Sequence, residues 1–193
     1  MKFGVAFFLG ILVGIAPAGG ETSFLFEFPG ERKDVGSWSV IVQDQAAVMV
    51  MSGGTRLRKY PDTLDVSVGE AFLQMTCNAG VIIAVAVLPE GELLVSGAHE
   101  GRFGWYMFWF DDELIGRQEV AVSDVVLEGP NLVVPVFSAR QADMASIGSL
   151  LDADSIAVRA APVNIMNGMV TASFSLSETR DSFAYLATAC GWD

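Results

Sequence analysis

Strict alternation of hydrophobic and polar residues over short stretches is the most regular pattern in this chain. In VTASFSL (170–176) every second residue is apolar, and the residues between are Thr or Ser. FLQMTC (72–77) alternates in the same way, with Cys77 on the apolar side. A period of two residues is typical of strands with one buried face, so both stretches are predicted to be β-strands.

Further strands are predicted from similar alternation or from short apolar runs. They cover residues 23–28, 38–43, 47–51, 81–88, 103–110, 119–127, 132–137 and 155–160. Turn-forming residues separate them at 89–92, 110–113 and 128–131, and Asn-Gly at 167–168 predicts a type I′ hairpin turn. Many short, closely spaced strands favour a mainly β fold, an antiparallel β-sandwich or a barrel-like domain.

Two stretches have helical periodicity instead. In 138–154, Ser138 and Gln141 fit a capping box, and the apolar residues that follow predict a surface helix. Near the C-terminus, Phe183, Leu186 and Cys190 share one face of a second short helix. The fold is therefore expected to include one or two short α-helices, with a cysteine on the buried side of the last one.

The stretch FGWYMFWF (103–110) is apolar on both sides of a strand. Phe103, Trp105, Met107 and Trp109 alternate with a second set that includes Tyr106 and Phe108. One interpretation is a strand covered on both faces. The other is an exposed aromatic face, in which Tyr106 and Phe108 form a candidate binding surface.

The N-terminal segment has the zones of a secretory signal peptide. One lysine precedes an apolar run from Phe3 to Ile15, and Ala16-Pro17-Ala18 provides small residues for cleavage after Ala18. An uncleaved anchor is the alternative, but the run is short for a membrane span. We expect a signal peptide over 1–18, a single β-rich domain over 19–193, and a periplasmic or secreted location. The later apolar stretch at 79–89 is also too short to cross a bilayer as a helix, so no integral membrane protein is expected after cleavage.

The net charge of the chain indicates which classes of partner it can bind. The chain carries 11 Lys and Arg against 23 Asp and Glu, a net charge of −12, which argues against nucleic acid as a partner. Three of its few basic residues, Arg56, Arg58 and Lys59, lie close together in TRLRKY. They form either a solvated loop or a second candidate binding surface for an anionic partner.

Cys77 and Cys190 are the two cysteines of the chain. An even number of cysteines in an exported protein indicates a disulfide bond. This bond would tie the C-terminal helix to the inward side of the strand at 72–77.

Candidate catalytic residues are few. His99, the single histidine, is followed by Glu100 in a glycine-flanked segment, and this pair could supply a general base or could be a solvated loop. The acidic DDE at 111–113 lacks the regular oxygen spacing of a calcium loop and is interpreted as a hairpin tip. No GxSxG, SxxK or HExxH motif is present, and no cofactor or metal is predicted.

Several of these stretches, taken in order, resemble a known family. MTC, MFWFDDE, SIGSLLDADSIAVRAAP and TASFSLSETRDSFAYLATACGW are similar to the invasion-associated locus B family and the related type VI secretion-associated periplasmic accessory proteins. The matching positions are Trp38, Asp44, Cys77, Asp111, Asp112, Arg159, Phe174, Leu176, Cys190 and Trp192. The resemblance implies an exported, mostly β domain with one disulfide and no known catalytic residues.

The sequence therefore predicts a non-catalytic periplasmic or secreted interaction domain, accessory to an envelope or secretion assembly. The expected partner is an envelope or secretion-machinery protein, or a cell-wall component. The alternative from another class is a small envelope hydrolase that uses His99 and Glu100.

Overall fold

The computed structural model of the chain describes residues 30–43, 46–59, 65–78, 80–96, 98–121, 126–141 and 144–192. The predicted signal peptide and the strand predicted at 23–28 lie outside these residues. The described part is mainly antiparallel β, which confirms the predicted fold class. Its strands are β1 (Glu31–Val35), β2 (Trp38–Gln43), β3 (Ala46–Arg58), β4 (Asp65–Asn78), β5 (Val81–Leu88), β6 (Arg102–Phe110), β7 (Glu113–Ala121), β8 (Val126–Glu128), β9 (Asn131–Arg140), β10 (Ser155–Pro162) and β11 (Met169–Ser175).

Three short α-helices and one 3-10 helix complete the described elements. They are α1 (Gly91–Ser96), α2 (Met144–Asp152), the 3-10 helix Ile165–Asn167, and α3 (Thr179–Ala189). The helices predicted within 138–154 and at the C-terminus are both present, the first as α2. The turns predicted at 110–113 and 128–131 are also present, between β6 and β7 and between β8 and β9.

The eleven strands form one sheet, and nine of them follow the order β7-β6-β10-β11-β3-β4-β5-β9-β8. β1 and β2 branch from this path, because the first half of the long strand β3 pairs with β2 and its second half pairs with β11. The sheet curls into a half-barrel.

The main core lies on the face of the sheet that receives α3. Met49, Met75 and Phe174 contribute from the strands, and Phe183 and Leu186 contribute from α3. The apolar positions of the alternating stretches FLQMTC and VTASFSL belong to this core, as their period predicts.

The interior strand β5, between β4 and β9, is buried on both faces. Ile82 and Ala84 face the main core, whereas Val85 and Val87 join Val133 in a second, smaller cluster. A nearly continuous apolar run is what a strand covered on both sides requires.

The disulfide predicted from the two cysteines is present. Cys77 near the end of β4 is bonded to Cys190, the residue that follows α3, and their Cα atoms are 5.4 Å apart. Trp192 reinforces the attachment, because its Nε1 donates a hydrogen bond of 3.0 Å to the carbonyl oxygen of Gly80. The C-terminal helix is thus fixed to the β4–β5 end of the sheet.

The loop interpretation of TRLRKY is wrong for residues 55–58, which form the second half of β3. Thr55 and Leu57 are buried, while Arg56 and Arg58 are exposed. β11 supplies the hydrogen-bonding partner that turns this polar stretch into a strand. Lys59 follows the strand and is exposed.

The type I′ turn predicted at Asn-Gly is also wrong. Asn167 ends the 3-10 helix, whose first N–H groups are satisfied in part by the Asn164 side chain, which accepts a hydrogen bond from the Met166 amide. Gly168 adopts a φ of 98°. The connection between β10 and β11 is therefore a wider loop than a two-residue hairpin.

The predicted cap of α2 and the predicted strand at 119–127 also differ from the structure. Ser138 lies within β9, so it does not cap α2, which begins at Met144. The single strand predicted at 119–127 is divided between the end of β7 and the short strand β8, with residues 122–125 outside the described part.

Candidate functional site

The two faces of β6 have different environments. Tyr106 and Phe108 are 0% and 8% exposed and belong to the main core. Trp105, Met107 and Trp109 are half-buried on the opposite face. This corrects the candidate binding surface, because the aromatic side chains at the surface of β6 are the two tryptophans rather than Tyr106 and Phe108.

A β-bulge explains why the alternation misplaced Phe103. The pairing between β6 and β7 shifts between Arg102 and Gly104, so Phe103 is the additional residue. An extra residue reverses the inside-outside phase of a strand. Phe103 therefore points into the core, where its ring centroid lies 5.5 Å from that of Tyr106.

Arginine side chains cover both surface tryptophans. The guanidinium carbon of Arg117, on β7, lies 3.9 Å from the ring centroid of Trp105. That of Arg159, on β10, lies 5.0 Å from the ring centroid of Trp109. Neighbouring strands bring these pairs together, and the attraction between a cation and an aromatic ring holds the guanidinium groups over the indoles.

A third arginine lies in the same row across the sheet. Register pairs Arg117 with Met107, Met107 with Arg159, Arg159 with Thr171, and Thr171 with Arg56. Directly paired residues project from the same face of a sheet. We call this surface the arginine–tryptophan face; it comprises Trp105, Trp109, Arg117, Arg159 and Arg56.

The three arginines of this face form no ion pair with any described residue. Arg159 is oriented by a neutral partner, since its Nε donates a hydrogen bond of 3.0 Å to Oγ1 of Thr171. Glu119 is paired with Trp105 in the register. Its Oε1 lies 3.5 Å from Nη1 of Arg102, and the two side chains form an ion pair. The face is therefore locally basic in a chain whose net charge is −12.

A guanidinium group stacked on an indole ring is well suited to bind an anion. Its planar fork of N–H donors matches a carboxylate or phosphate, and the stack limits the rotamer freedom that binding would remove. The remaining residues of the basic candidate surface, Arg58 and Lys59, lie beside the row at the end of β3. The structure thus brings Arg56 next to residues that are distant in sequence and that sequence analysis had not grouped with it.

The proposed catalytic pair lies elsewhere and is open to solvent. Nδ1 of His99 is 3.9 Å from Oε1 of Glu100, and the two side chains are 65% and 73% exposed. Glu100 has a φ of 53°, and backbone hydrogen bonds between His99 and Arg102 close the turn. Within the described residues, the imidazole forms no hydrogen bond with a hydroxyl or thiol that could act as a nucleophile.

Asp111 has a structural position at the predicted acidic hairpin tip. Its Oδ1 accepts hydrogen bonds of 3.0 and 2.9 Å from the backbone amides of Asp154 and Ser155. The carboxylate thereby fastens the β6–β7 turn to the start of β10. Among the described residues, no cluster of three or more His, Cys, Asp or Glu side chains could hold a metal ion.

Comparison with known proteins yields no match to a family model, to a curated protein or to a solved structure. Within the described residues, none of the helices has the length and apolar character needed to cross a membrane.

Proposed function

We propose that this chain is a non-catalytic interaction domain of the periplasm or the secreted space, accessory to an envelope or secretion assembly. The proposal includes export by the signal peptide predicted at 1–18 and kinship with the invasion-associated locus B family. The disulfide between Cys77 and Cys190 supports export, because such bonds persist in oxidising compartments.

The observation that carries the proposal is the arginine–tryptophan face. Three arginines without ion-pair partners in the described residues share one sheet face with two half-buried tryptophans. Tryptophan and arginine are the residue types that most often contribute large binding energies at protein interfaces. The surface suits an anionic region of a protein partner.

Site-specific crosslinking in cells tests this assignment. A photo-crosslinking phenylalanine analogue replaces Met107, in the middle of the face, or Ser149, an exposed position on α2. We expect a crosslink to an envelope protein from position 107 and none from position 149. The double substitution Arg117→Gln and Arg159→Gln should abolish the crosslink, whereas Arg140→Gln, on β9, should preserve it.

Crosslinking that is equal at both positions, or that persists without the two arginines, would overturn the assignment of this face. A separate assay tests the proposal that the domain is not a catalyst. Incubation of the protein with cell-wall fragments should give no turnover, and hydrolysis that His99→Ala removes would instead support the hydrolase alternative.

A further inference from the structure

The connection between β10 and β11 exposes a cluster of apolar side chains. Val163, Ile165 and Met166 are 36%, 50% and 53% exposed. They are three of the nine large apolar side chains that are exposed among the described residues, and they lie within four consecutive positions. Single exposed apolar residues are ordinary on a protein surface, whereas contiguous ones mark interaction sites. We call residues 163–168 the apolar tip.

Polar contacts hold the apolar tip in place. The Val163 amide donates a hydrogen bond of 2.9 Å to the carbonyl oxygen of Phe103, on β6. Nδ2 of Asn167 donates one of 2.8 Å to Oγ of Ser96, at the end of α1. The Asn164 side chain caps the 3-10 helix. These polar groups are bonded to the protein, while the large apolar side chains of the same turn remain exposed.

Two cations flank the apolar tip on the side of β3. Arg58 pairs with Met169, the residue after the tip, and both Arg58 and Lys59 are exposed. The stem of Lys59 reaches the tip itself, because a Cβ added to Gly168 would lie 3.1 Å from Cγ of Lys59. Since the register also places Asp65 opposite Arg58, Lys59 is the cation best placed to serve a ligand of the tip.

The shape and charge of the tip select the kind of partner. A convex turn offers no groove for a rigid ligand, but it can enter the interfacial layer of a lipid bilayer, where apolar side chains leave water. A lysine beside such side chains keeps its stem with them and its ammonium group at the lipid phosphates. Anionic lipid is therefore favoured at this place, although the whole chain has a net charge of −12.

We infer that the apolar tip inserts Ile165 and Met166 into the head-group region of an anionic lipid bilayer, with Lys59 at the phosphates. This inference goes beyond the proposed function and does not depend on it. Cys77 lies near the end of β4, whereas the residue that pairs with Arg58 begins that strand. The end of the sheet that carries the disulfide therefore lies away from the bilayer.

Vesicle binding tests the contribution of the apolar side chains. Protein purified from the compartment to which it is exported is sedimented with vesicles of equal parts phosphatidylglycerol and phosphatidylcholine. Ile165→Ser combined with Met166→Ser should weaken binding at least about tenfold, because two half-exposed apolar side chains are lost from the interface. Leu114→Ser combined with Ile115→Ser removes a pair that is 52% and 47% exposed, at the other end of the sheet, and should leave binding unchanged.

The same assay tests the head-group contact. Lys59→Gln should weaken binding to these vesicles about fivefold, the contribution of one lysine near an anionic membrane surface. Arg140→Gln removes the same charge at the end of the sheet that carries the disulfide and should have no effect. Vesicles of phosphatidylcholine alone should bind less protein. All variants share one N-terminus, so the predicted signal segment does not alter the comparison, and thermal melting verifies that each is folded.

A polarity-sensitive dye reports insertion directly. The natural cysteines are joined in a disulfide, so the fluorophore NBD labels a single added cysteine. On the mixed vesicles its emission should shift to the blue in Ile165→Cys, whereas it should not shift in Ser149→Cys, on α2.

An unshifted dye at position 165, or binding that persists without Ile165 and Met166, would overturn the inference. Equal binding to the two kinds of vesicle would overturn the assignment to anionic lipid. None of these results changes the crosslink expected from Met107, so a failure here is distinguishable from a failure of the proposed function.

Discussion

Trp38 Nε1 donates a hydrogen bond of 3.0 Å to Oγ1 of Thr179. Trp38 begins β2 and Thr179 begins α3, and both side chains are almost completely buried. The bond therefore anchors the first turn of the C-terminal helix to a strand 141 residues away. Since α3 covers the core face of the sheet, this contact contributes to the stability of the whole domain.

Thr179→Val preserves the shape of the side chain and removes the acceptor. The indole N–H of Trp38 is then left buried without its partner, which should lower the free energy of unfolding by about 1 to 3 kcal/mol. Urea denaturation measures the change. Thr188→Val, at an exposed position of the same helix, is the control and should shift stability by no more than about 0.5 kcal/mol. Equal effects of the two substitutions would contradict the role of the bond.

The disulfide is expected to contribute more than any single hydrogen bond. Cys77 and Cys190 are separated by 113 residues, and in the chain-entropy model a loop of this length contributes about 4 to 5 kcal/mol. Replacing both residues with Ala should lower the urea midpoint accordingly. Reductant should destabilise the natural protein and leave the double variant unaffected. A natural protein that unfolds identically with and without reductant would refute this contribution.

Two adjacent glycines of β3 provide a matched pair for testing packing. A Cβ added to Gly53 would lie 2.4 Å from Cδ1 of Phe174 and 2.5 Å from the carbonyl oxygen of Ser173, whereas one added to Gly54 meets no atom within 4 Å. Gly53→Ala should therefore destabilise the protein by about 1 to 3 kcal/mol. Gly54→Ala should change stability by about 0.5 kcal/mol or less. Chemical denaturation that ranks them in the opposite order would show that β3 and β11 do not pack as described.

Much of the fold could be predicted because its signals are local. FLQMTC and VTASFSL each alternate within one strand, and the helical spacing of Phe183 and Leu186 lies within α3. β1 gave no such signal, because four of its five residues are charged and it forms a strand through pairing with β2. α1 has six residues, too few to establish a helical period in the sequence.

The arginine–tryptophan face could not be predicted from the sequence, because it depends on how distant strands pair. Arg56, Arg117 and Arg159 belong to strands that are remote in sequence, and the register of five strands aligns them. Of these three arginines, the basic stretch TRLRKY contained Arg56 and the family resemblance included Arg159, but neither signal linked the two residues to each other or to Arg117. The bulge before Gly104 also reversed the phase of Phe103, which the alternation of β6 could not reveal.

The two faces of β6 should respond differently to substitution. Phe108→Ser removes a buried ring and should lower the free energy of unfolding by roughly 3 to 5 kcal/mol, as large-to-small changes in a core do. Arg117→Gln lies on the surface face and should lower stability by only about 0.5 to 1 kcal/mol, the scale of its exposed contact with the Trp105 ring. Thermal melting distinguishes them. A Phe108→Ser variant that keeps its melting temperature and loses partner binding would restore the original surface interpretation of that residue.

Asp34 should show a small, specific dependence on pH. A hydrogen bond from the Ser39 hydroxyl, followed by one from Arg32, holds the pKa of the Asp34 carboxyl below its ordinary value. A group whose pKa is lowered by folding contributes its stabilisation above the ordinary pKa and loses it as the pH falls through the folded value. Because this carboxyl is exposed, the effect is best observed on the residue itself. In an NMR titration, Ser39→Ala should raise the pKa of Asp34 towards its ordinary value, whereas Ser149→Ala, on α2, should not change it. An unchanged titration in Ser39→Ala would show that the hydroxyl does not stabilise the ionised carboxylate.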